Sequence, residues 1–258
     1  MLNHNKTAVF FISIFILLAL LSLFAAIETW YFVLAGVFWF IVAVIGSAFI
    51  GSNYHVKTYC SNPSETEKNI AITFDDGPHP MTLQVLDVLK KHNAKATFFC
   101  IGKNIETHPE ILQRIIDEGH IVGNHSYSHS HFFDFYRKNA VIHELQITDA
   151  LIEKISGHQP HFFRPPYGVT NPSIRRALAV TQHKVIGWNI RSLDGAIKNE
   201  SVIFNRIVRR ISPGGIVLLH DTSIQAVNVL ERLLVTLREK NYDVVSLEQL
   251  LNIKAYEN

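Results

Sequence analysis

The sequence predicts an α/β protein, a barrel of about seven parallel strands alternating with helices, preceded by two transmembrane helices. Three observations carry this expectation. The first 50 of the 258 residues hold only two charged side chains, Lys6 and Glu28. From Asn69 onward, short β-rich runs alternate with amphipathic helical patterns, which implies a parallel sheet with helices outside it. Ionisable residues then gather at the carboxyl ends of those runs, where parallel βα architectures place their chemistry. A doubly wound open sheet is the alternative that alternation alone leaves open.

Residues 1–50 read as a membrane anchor. Ala8–Ile27 and Trp30–Ile50 are each long enough, at about 1.5 Å per residue, to cross a hydrocarbon core of about 30 Å. Trp30 and Tyr31 sit beside the lone Glu28, where interfacial aromatics belong. A cleaved signal peptide is the rival, but its apolar core should be about 7–15 residues and end in small residues. Here Leu23-Phe24 stands where small residues are wanted. Lys6 and Lys57 flank the spans and the turn has no Lys or Arg, which favours cytoplasmic tails.

Residues 51–68 are a polar linker by composition, containing Ser61-Asn62-Pro63-Ser64. Residues 69–253 form the expected domain, and 254–258 a C-terminal tail. Strands are expected at Ile70–Phe74, Ala96–Ile101, His120–Asn124, His161–Arg164, Lys184–Trp188, Ile216–His220 and Asp243–Ser246. Helices are expected at Met81–Asn93, Pro109–Glu118, Ala140–Ser156, Pro172–Thr181, Ser201–Ile211 and Gln225–Asn241. Gly157, Pro213-Gly214-Gly215 and Asn241 punctuate their ends. A net charge of +2, with no basic run longer than two residues, argues against a nucleic-acid partner.

Asp75 and Asp76 close the first strand, ahead of a Gly77-Pro78 turn. A helix cap or Asx turn needs one Asp only. Two adjacent carboxylates repel, so a cleft holding both calls for a cation. His125 and His129 follow the third strand at a spacing that turns both imidazoles to one point on a helical turn, although such a pair is often merely surface. With Asp76 they supply two nitrogens and one oxygen, the pattern of an open catalytic metal site. His131 is expected to be a bystander. Arg164 ends the fourth strand before Pro165-Pro166-Tyr167, either as a rim salt bridge or as the partner that orients Asp75. Asp194 lies just beyond the fifth strand. His220 ends the sixth, placed for proton transfer or, in the blander alternative, buried for structure.

The ordered runs TFDDGP, HSYSH, RPPY and LLH resemble the polysaccharide deacetylase family (carbohydrate esterase family 4, the NodB-homology domain) over about residues 69–253. The resemblance implies a distorted seven-stranded (β/α) barrel and a hydrolase of linear amides that removes N-acetyl groups from amino sugars, with release of acetate. It implies Asp75 as catalytic base, Asp76, His125 and His129 as metal ligands, and Arg164 as the residue orienting the base. His220 matches the general acid, Asp194 the aspartate that tunes it, and Leu218 the residue lining the acetyl-methyl pocket. The backbone N–H of Tyr167 is expected to help hold the oxyanion. The implied cofactor is a divalent metal ion, zinc first, with Co, Ni or Mn also suited to a His₂Asp set. One departure stands out: Gly195 follows Asp194 where many relatives carry Trp, which alters the groove without removing a catalytic group.

The expected partners are an N-acetylated glycan, peptidoglycan-like or chitin-like, and the lipid bilayer through the N-terminal helices. The substrate class places the domain on the extracytoplasmic side, against the weak charge signal. An O-acetyl ester hydrolase and a non-catalytic glycan-binding barrel are the rival functions. Cys60 and Cys100 lack metal-type spacing.

Overall fold

The computed structural model describes residues 3–256. Two apolar helices, α1 (His4–Leu21) and α2 (Thr29–Ala48), form an antiparallel hairpin. It is held by ring contacts such as Phe11 stacked on Trp39 at 5.8 Å. The first helix starts earlier than its apolar run because the Asn3 side chain accepts from the Lys6 N–H at 3.0 Å, supplying an N-cap. It stops at Leu21, so Ser22–Glu28 form the turn. Almost all of both helices' apolar surface is exposed.

The strands follow as β1 (Thr58–Tyr59), β2 (Asn69–Asp75), β3 (Thr97–Cys100), β4 (Ile121–Asn124) and β5 (Phe162–Phe163). β6 (Lys184–Ile186), β7 (Ile190–Arg191), β8 (Gly215–His220) and β9 (Asp243–Val244) complete the sheet. All pair in parallel, in the order β1-β6-β5-β4-β3-β2-β8-β7, with β9 joining the start of β2. The sheet curls into a half-barrel whose edge strands β1 and β7 do not pair with each other. The expected seven strands are all present, β2 and β8 slightly longer than expected and the other five shorter. The two additions, β1 and β7, are two-residue edges that show no periodicity to a sequence reading. Residues 51–68 therefore contribute β1 to the sheet, and Ile50 just before them lies in the core with Phe163 and Val185.

The helices over the domain are α3 (Thr82–Lys91), α4 (Gly102–Thr107), α5 (Pro109–Asp117), α6 (Lys138–Ser156) and α7 (Pro172–Thr181). α8 (Glu200–Val208), α9 (Ile224–Glu239) and α10 (Leu247–Leu251) follow. Side chains of Asn171, Asn199, Ser223 and Ser246 cap α7, α8, α9 and α10. Gly157, in the left-handed region at φ 73°, ends α6. Of the expected C-terminal tail, Ala255 is buried and the Val122 N–H donates to the Tyr256 hydroxyl at 2.8 Å. Residues 257 and 258 lie outside the described residues.

Strand pleating separates two cores. On β2, Ile70, Ile72 and Phe74 face the helices and pack with Leu86, Leu89 and Leu230. Ala71, Thr73 and Asp75 take the opposite face by alternation. The register pairs Ala71 with Ile216, Thr73 with Leu218, and Asp75 with His220. The concave face is thus apolar at the floor, where α10 plugs it with Leu247 and Leu250. It becomes polar only at the carboxyl ends of the strands.

Candidate active site

The site is built where β2, β4, β5 and β8 end. Asp75 finishes β2, buried, and accepts from Arg164 Nη1 at 2.7 Å. Arg164 is fully buried at the end of β5. Its guanidinium also donates to Thr73 Oγ1 (2.8 Å), the Ile186 carbonyl (3.1 Å) and the Gly187 carbonyl (2.9 Å). It lies 4.1 Å over the Phe99 ring. That stack explains Gly123, because a Cβ there would meet the Phe99 ring at 2.7 Å. A charge this deep is tolerable only when its donors are used, and here the planar fork is satisfied by a carboxylate, a hydroxyl and two carbonyls.

The backbone turns sharply at Asp76, which has φ 74°. This reversal sends the neighbouring carboxylate away from Arg164 and towards the imidazoles. Asp76 Oδ1 lies 3.5 Å from His125 Nε2 and 3.4 Å from His129 Nε2, while Oδ2 lies 3.9 Å from His220 Nε2. Burial opposes its charge, but the surrounding imidazoles overcome this and hold the carboxyl far below the usual carboxylate range. The carbonyl of Asp76 accepts from Asn104 Nδ2 at 2.7 Å, fixing the turn from α4.

His125 and His129 meet at one point, but through a loop rather than the expected helical turn. Ser126 and His129 adopt positive φ, 64° and 45°. Asn124 anchors the loop's start, donating to Asp149 and accepting from the Ser126 N–H. Glu144 on α6 then accepts from the N–H groups of Tyr127 and Ser128 and from the Ser128 hydroxyl, at 2.8–3.1 Å. Sequence reasoning missed Glu144. Its signal was a carboxylate on the buried stripe of α6 beside Val141, Leu145 and Thr148.

Donor atoms of Asp76, His125 and His129 lie within 4.8 Å of one another. The residues fit a divalent ion on two counts. Asp76 Oδ1 is buried with no hydrogen-bond partner among the described residues. The His125 ring gives its Nδ1–H to the Arg164 carbonyl at 2.7 Å, leaving the Nε2 lone pair aimed inward. Among the described residues His131 is not part of this set. It stacks on Tyr167 and shares a 2.9 Å hydrogen bond with its hydroxyl. Tyr167, held at φ 57°, sets its ring edge-on to His129 at 4.9 Å.

Across the opening, His220 Nδ1–H donates to Asp194 Oδ1 at 2.7 Å and its backbone N–H to Oδ2 at 2.8 Å. Ser192 Oγ donates to the same carboxylate at 2.6 Å. Burial disfavours the imidazolium, but the hydrogen-bonded Asp194 outweighs it and His220 is pushed up to about 9. Leu218 sits one pleat below on the same face, buried. Gly195 leaves the imidazole edge open, since a Cβ there would stand 3.7 Å from His220 Cε1. Asp221, also unanticipated, is fully buried and accepts from the Thr82 hydroxyl at 2.5 Å. A Cβ on Gly77 would collide with Asp221, so glycine is required there. The structure thus assembles Asp75, Asp76, His125, His129, Arg164, Asp194, His220 and Tyr167 around one opening, with Leu218 at its wall.

A half-barrel with an Asp-His-His cluster facing a paired Asp-His defines a hydrolase of the α/β type. The family model described as polysaccharide deacetylase matches residues 62–186. The chain is 35% identical over 198 residues to a peptidoglycan-N-acetylglucosamine deacetylase of Bacillus cereus, covering 72% of each. It is 36% identical over 189 residues to the peptidoglycan-N-acetylmuramic acid deacetylase PdaC of Bacillus subtilis, covering 73% of this chain but 40% of that longer protein. The solved Bc1960 peptidoglycan N-acetylglucosamine deacetylase superposes with a TM-score of 0.73 at 28% identity, over 83% of this chain and 97% of that one. The chain belongs to the polysaccharide deacetylase family.

Proposed function

We propose that this protein hydrolyses the acetamide of N-acetylated amino sugars in a cell-envelope glycan, releasing acetate and a free amine. The observation that carries the reading is the opposition, across one opening, of an arginine-paired carboxylate and an imidazole held protonated by its own carboxylate. Asp76, His125 and His129 would hold a divalent cation, zinc first by its taste for nitrogen and oxygen donors, which supplies Lewis acidity to the amide carbonyl and to water. Asp75, fixed by Arg164, accepts the proton of the attacking water. His220 carries a proton at neutral pH and gives it to the departing amine nitrogen, and Asp194 stabilises the imidazolium until it does so. The Tyr167 N–H helps stabilise the oxyanion, and Leu218 packs against the acetyl methyl.

The test is acetate release from N-acetylated glucosamine oligomers and peptidoglycan fragments, before and after chelation. We expect activity to vanish in verifiably metal-free protein and to return with Zn²⁺ or Co²⁺. His125→Ala should lose both metal, by elemental analysis, and turnover, because a three-ligand set cannot spare one. Full activity without metal would overturn the mechanism, and release from O-acetylated but not N-acetylated glycans would overturn the substrate bond.

We further infer that α1 and α2 span a bilayer and that the domain faces the extracytoplasmic side, where acetylated envelope polymers lie. Their length and bare apolar surfaces support the first point. Lys6 and Lys57 amount to one charge on each tail, too little to decide orientation. A reporter active only outside the cytoplasm, fused after Asn258, should be bright. A silent one, with a cytoplasm-active reporter bright at the same site, would reverse the orientation.

A further inference from the structure

The hairpin does not hang from the domain by a spacer. α2 ends at Ala48, and the Thr170 N–H donates to the Ser47 carbonyl at 3.0 Å, tying the helix end to the loop that carries Tyr167. Ile50 is already in the core, and its carbonyl accepts from Thr58 Oγ1 at 2.7 Å. The start of α1 is tied to the same side, with the His4 N–H donating to the Tyr54 carbonyl at 2.8 Å and Arg175 reaching Asn5 at 3.2 Å. Both ends of the hairpin therefore meet the domain at its catalytic rim.

A cleft of about 460 Å³ lies at this junction, lined by Phe49, Tyr167, Trp188, Asn189, Arg191 and Arg210 among others. Tyr167 belongs to both the cleft and the site, since its ring is set against His129. At the other end, Phe49 is exposed where α2 stops. Between them the wall is cationic. Arg191 lies 5.7 Å over the Trp188 ring and its backbone carbonyl accepts from Arg206 Nε at 3.1 Å. Arg209 adjoins Arg210 along the same edge. Among the described residues, no carboxylate pairs with Arg191, Arg209 or Arg210.

An unpaired guanidinium group beside an aromatic wall is a binder of phosphate oxygens. A neutral glycan would leave these charges unused, and a substrate far from the membrane would be out of reach of a rim held at the helix ends. We infer that this cleft is a subsite for a phosphate or pyrophosphate group, and that the substrate is a membrane-held glycolipid whose N-acetylamino sugar is joined to its lipid through that group. The sugar enters past Tyr167, the anionic linkage lies on Arg191 and Arg210, and the lipid leaves along Phe49 into the bilayer. The inference rests on the deacetylase and membrane-anchor readings and names the form of substrate they leave open.

The full chain in phosphatidylcholine nanodiscs would be given three probes. The first is N-acetylglucosamine linked through pyrophosphate to a polyprenol, the second the same sugar pyrophosphate as a methyl ester, and the third an uncharged N-acetylglucosamine tetramer. We expect kcat/KM for the polyprenyl probe to exceed that for the tetramer by about 10-fold or more, the scale of one or two charge-assisted hydrogen bonds, and that for the methyl ester by about 10-fold through the lipid's apolar contacts. Joint Arg191→Gln and Arg210→Gln substitution should collapse the polyprenyl-to-tetramer ratio by about the same factor. A preference for the tetramer, or a ratio untouched by the substitutions, overturns the inference while leaving the deacetylase reading intact. Equal use of the methyl ester overturns the lipid requirement. Turnover of none of the three overturns this inference, and the deacetylase reading falls with it if peptidoglycan fragments are left intact as well.

Discussion

In the half-barrel, Ile72, Phe74 and Leu219 are turned towards helices and lost to solvent, while Asp75 and His220 face the opening beside them. In the hairpin the arrangement is reversed. Phe10, Phe24, Phe38 and Phe40 are exposed, and α1 and α2 bury little beyond their mutual contact. The domain spends its apolar surface on excluding water from a core, which is what permits a fully buried Arg164. The hairpin leaves its apolar surface bare, which is unfavourable in water and suits the hydrocarbon surroundings proposed for it. On the proposed membrane reading, one chain is folded for two solvents, with the candidate site near their boundary. The rim is held by a dense internal network of polar bonds, whereas the hairpin is joined to it by a few backbone and side-chain hydrogen bonds.

Breaking the rim should have the largest effect. Asp75→Asn removes the proton acceptor and is expected to lower kcat by about 10²–10⁴-fold. The metal should stay bound, because the turn at Asp76 gives the two carboxylates separate partners. Turnover measured alongside metal content checks this, and loss of metal in the variant would show the two carboxylates act as one unit.

A smaller effect is expected from Asp194→Asn. The hydrogen-bonded Asp194 raises the folded-state value of His220 from 6.5 to about 9, so the imidazole is protonated at neutral pH and loses its proton as pH rises through that value. Activity that needs an acid should therefore fall on the alkaline side. Without the Asp194 charge the limb should move down towards the ordinary imidazole range, lowering activity at pH 8 by roughly tenfold. A cation at the facing ligands displaces both limbs in the same direction, so the difference between the two pH profiles is the measure. The same raised value contributes stability that is full below about 6.5 and lost as pH rises through about 9.

The smallest effect is expected from removing the hairpin. Deleting residues 1–47 forfeits the hydrogen bonds Thr170–Ser47, His4–Tyr54, Arg175–Asn5, Ser47–His55 and Ser52–Gly46, about 1 kcal/mol or less each, or several degrees in Tm. Deleting residues 1–60 also removes β1 and the buried Ile50 and should cost clearly more by thermal melting, by about 1.5–3 kcal/mol for the side chain alone. Equal losses would mean that the hairpin is part of the domain's core rather than an attachment to it.

Much of the site could be read in the sequence because its residues lie at strand ends, where a local motif such as Thr73-Phe74-Asp75-Asp76-Gly77-Pro78 carries both the strand and the turn. Glu144 and Asp221 could not be read so directly. Glu144 braces a loop 16 or 17 positions away and Asp221 holds Thr82 at the start of α3, 139 positions away, while their own neighbourhoods look like an ordinary helix and an ordinary strand end. β1 and β7 escaped for a different reason. Two residues are too few for a period, and such strands exist only because a neighbouring edge offers unpaired backbone groups.

Periodicity, apolar length and the side chains themselves are local properties, and the sequence alone determined them: two apolar spans, the alternation of strands and helices, and the identities of the ionisable residues at the rim. Convergence is not local. Arg164 meets Asp75 across 89 positions, Asp194 meets His220 across 26, and Asp76 and His129 turn inward only through left-handed backbone that the surrounding hydrogen bonds hold. The tertiary structure alone decided which carboxylate faces the guanidinium and which the imidazoles. It also decided that the sheet stays open between β1 and β7, and that the apolar hairpin meets the domain beside Tyr167. Each is set by the parallel register and the curl of the sheet, which bring distant strand ends within hydrogen-bond reach only once the core has closed.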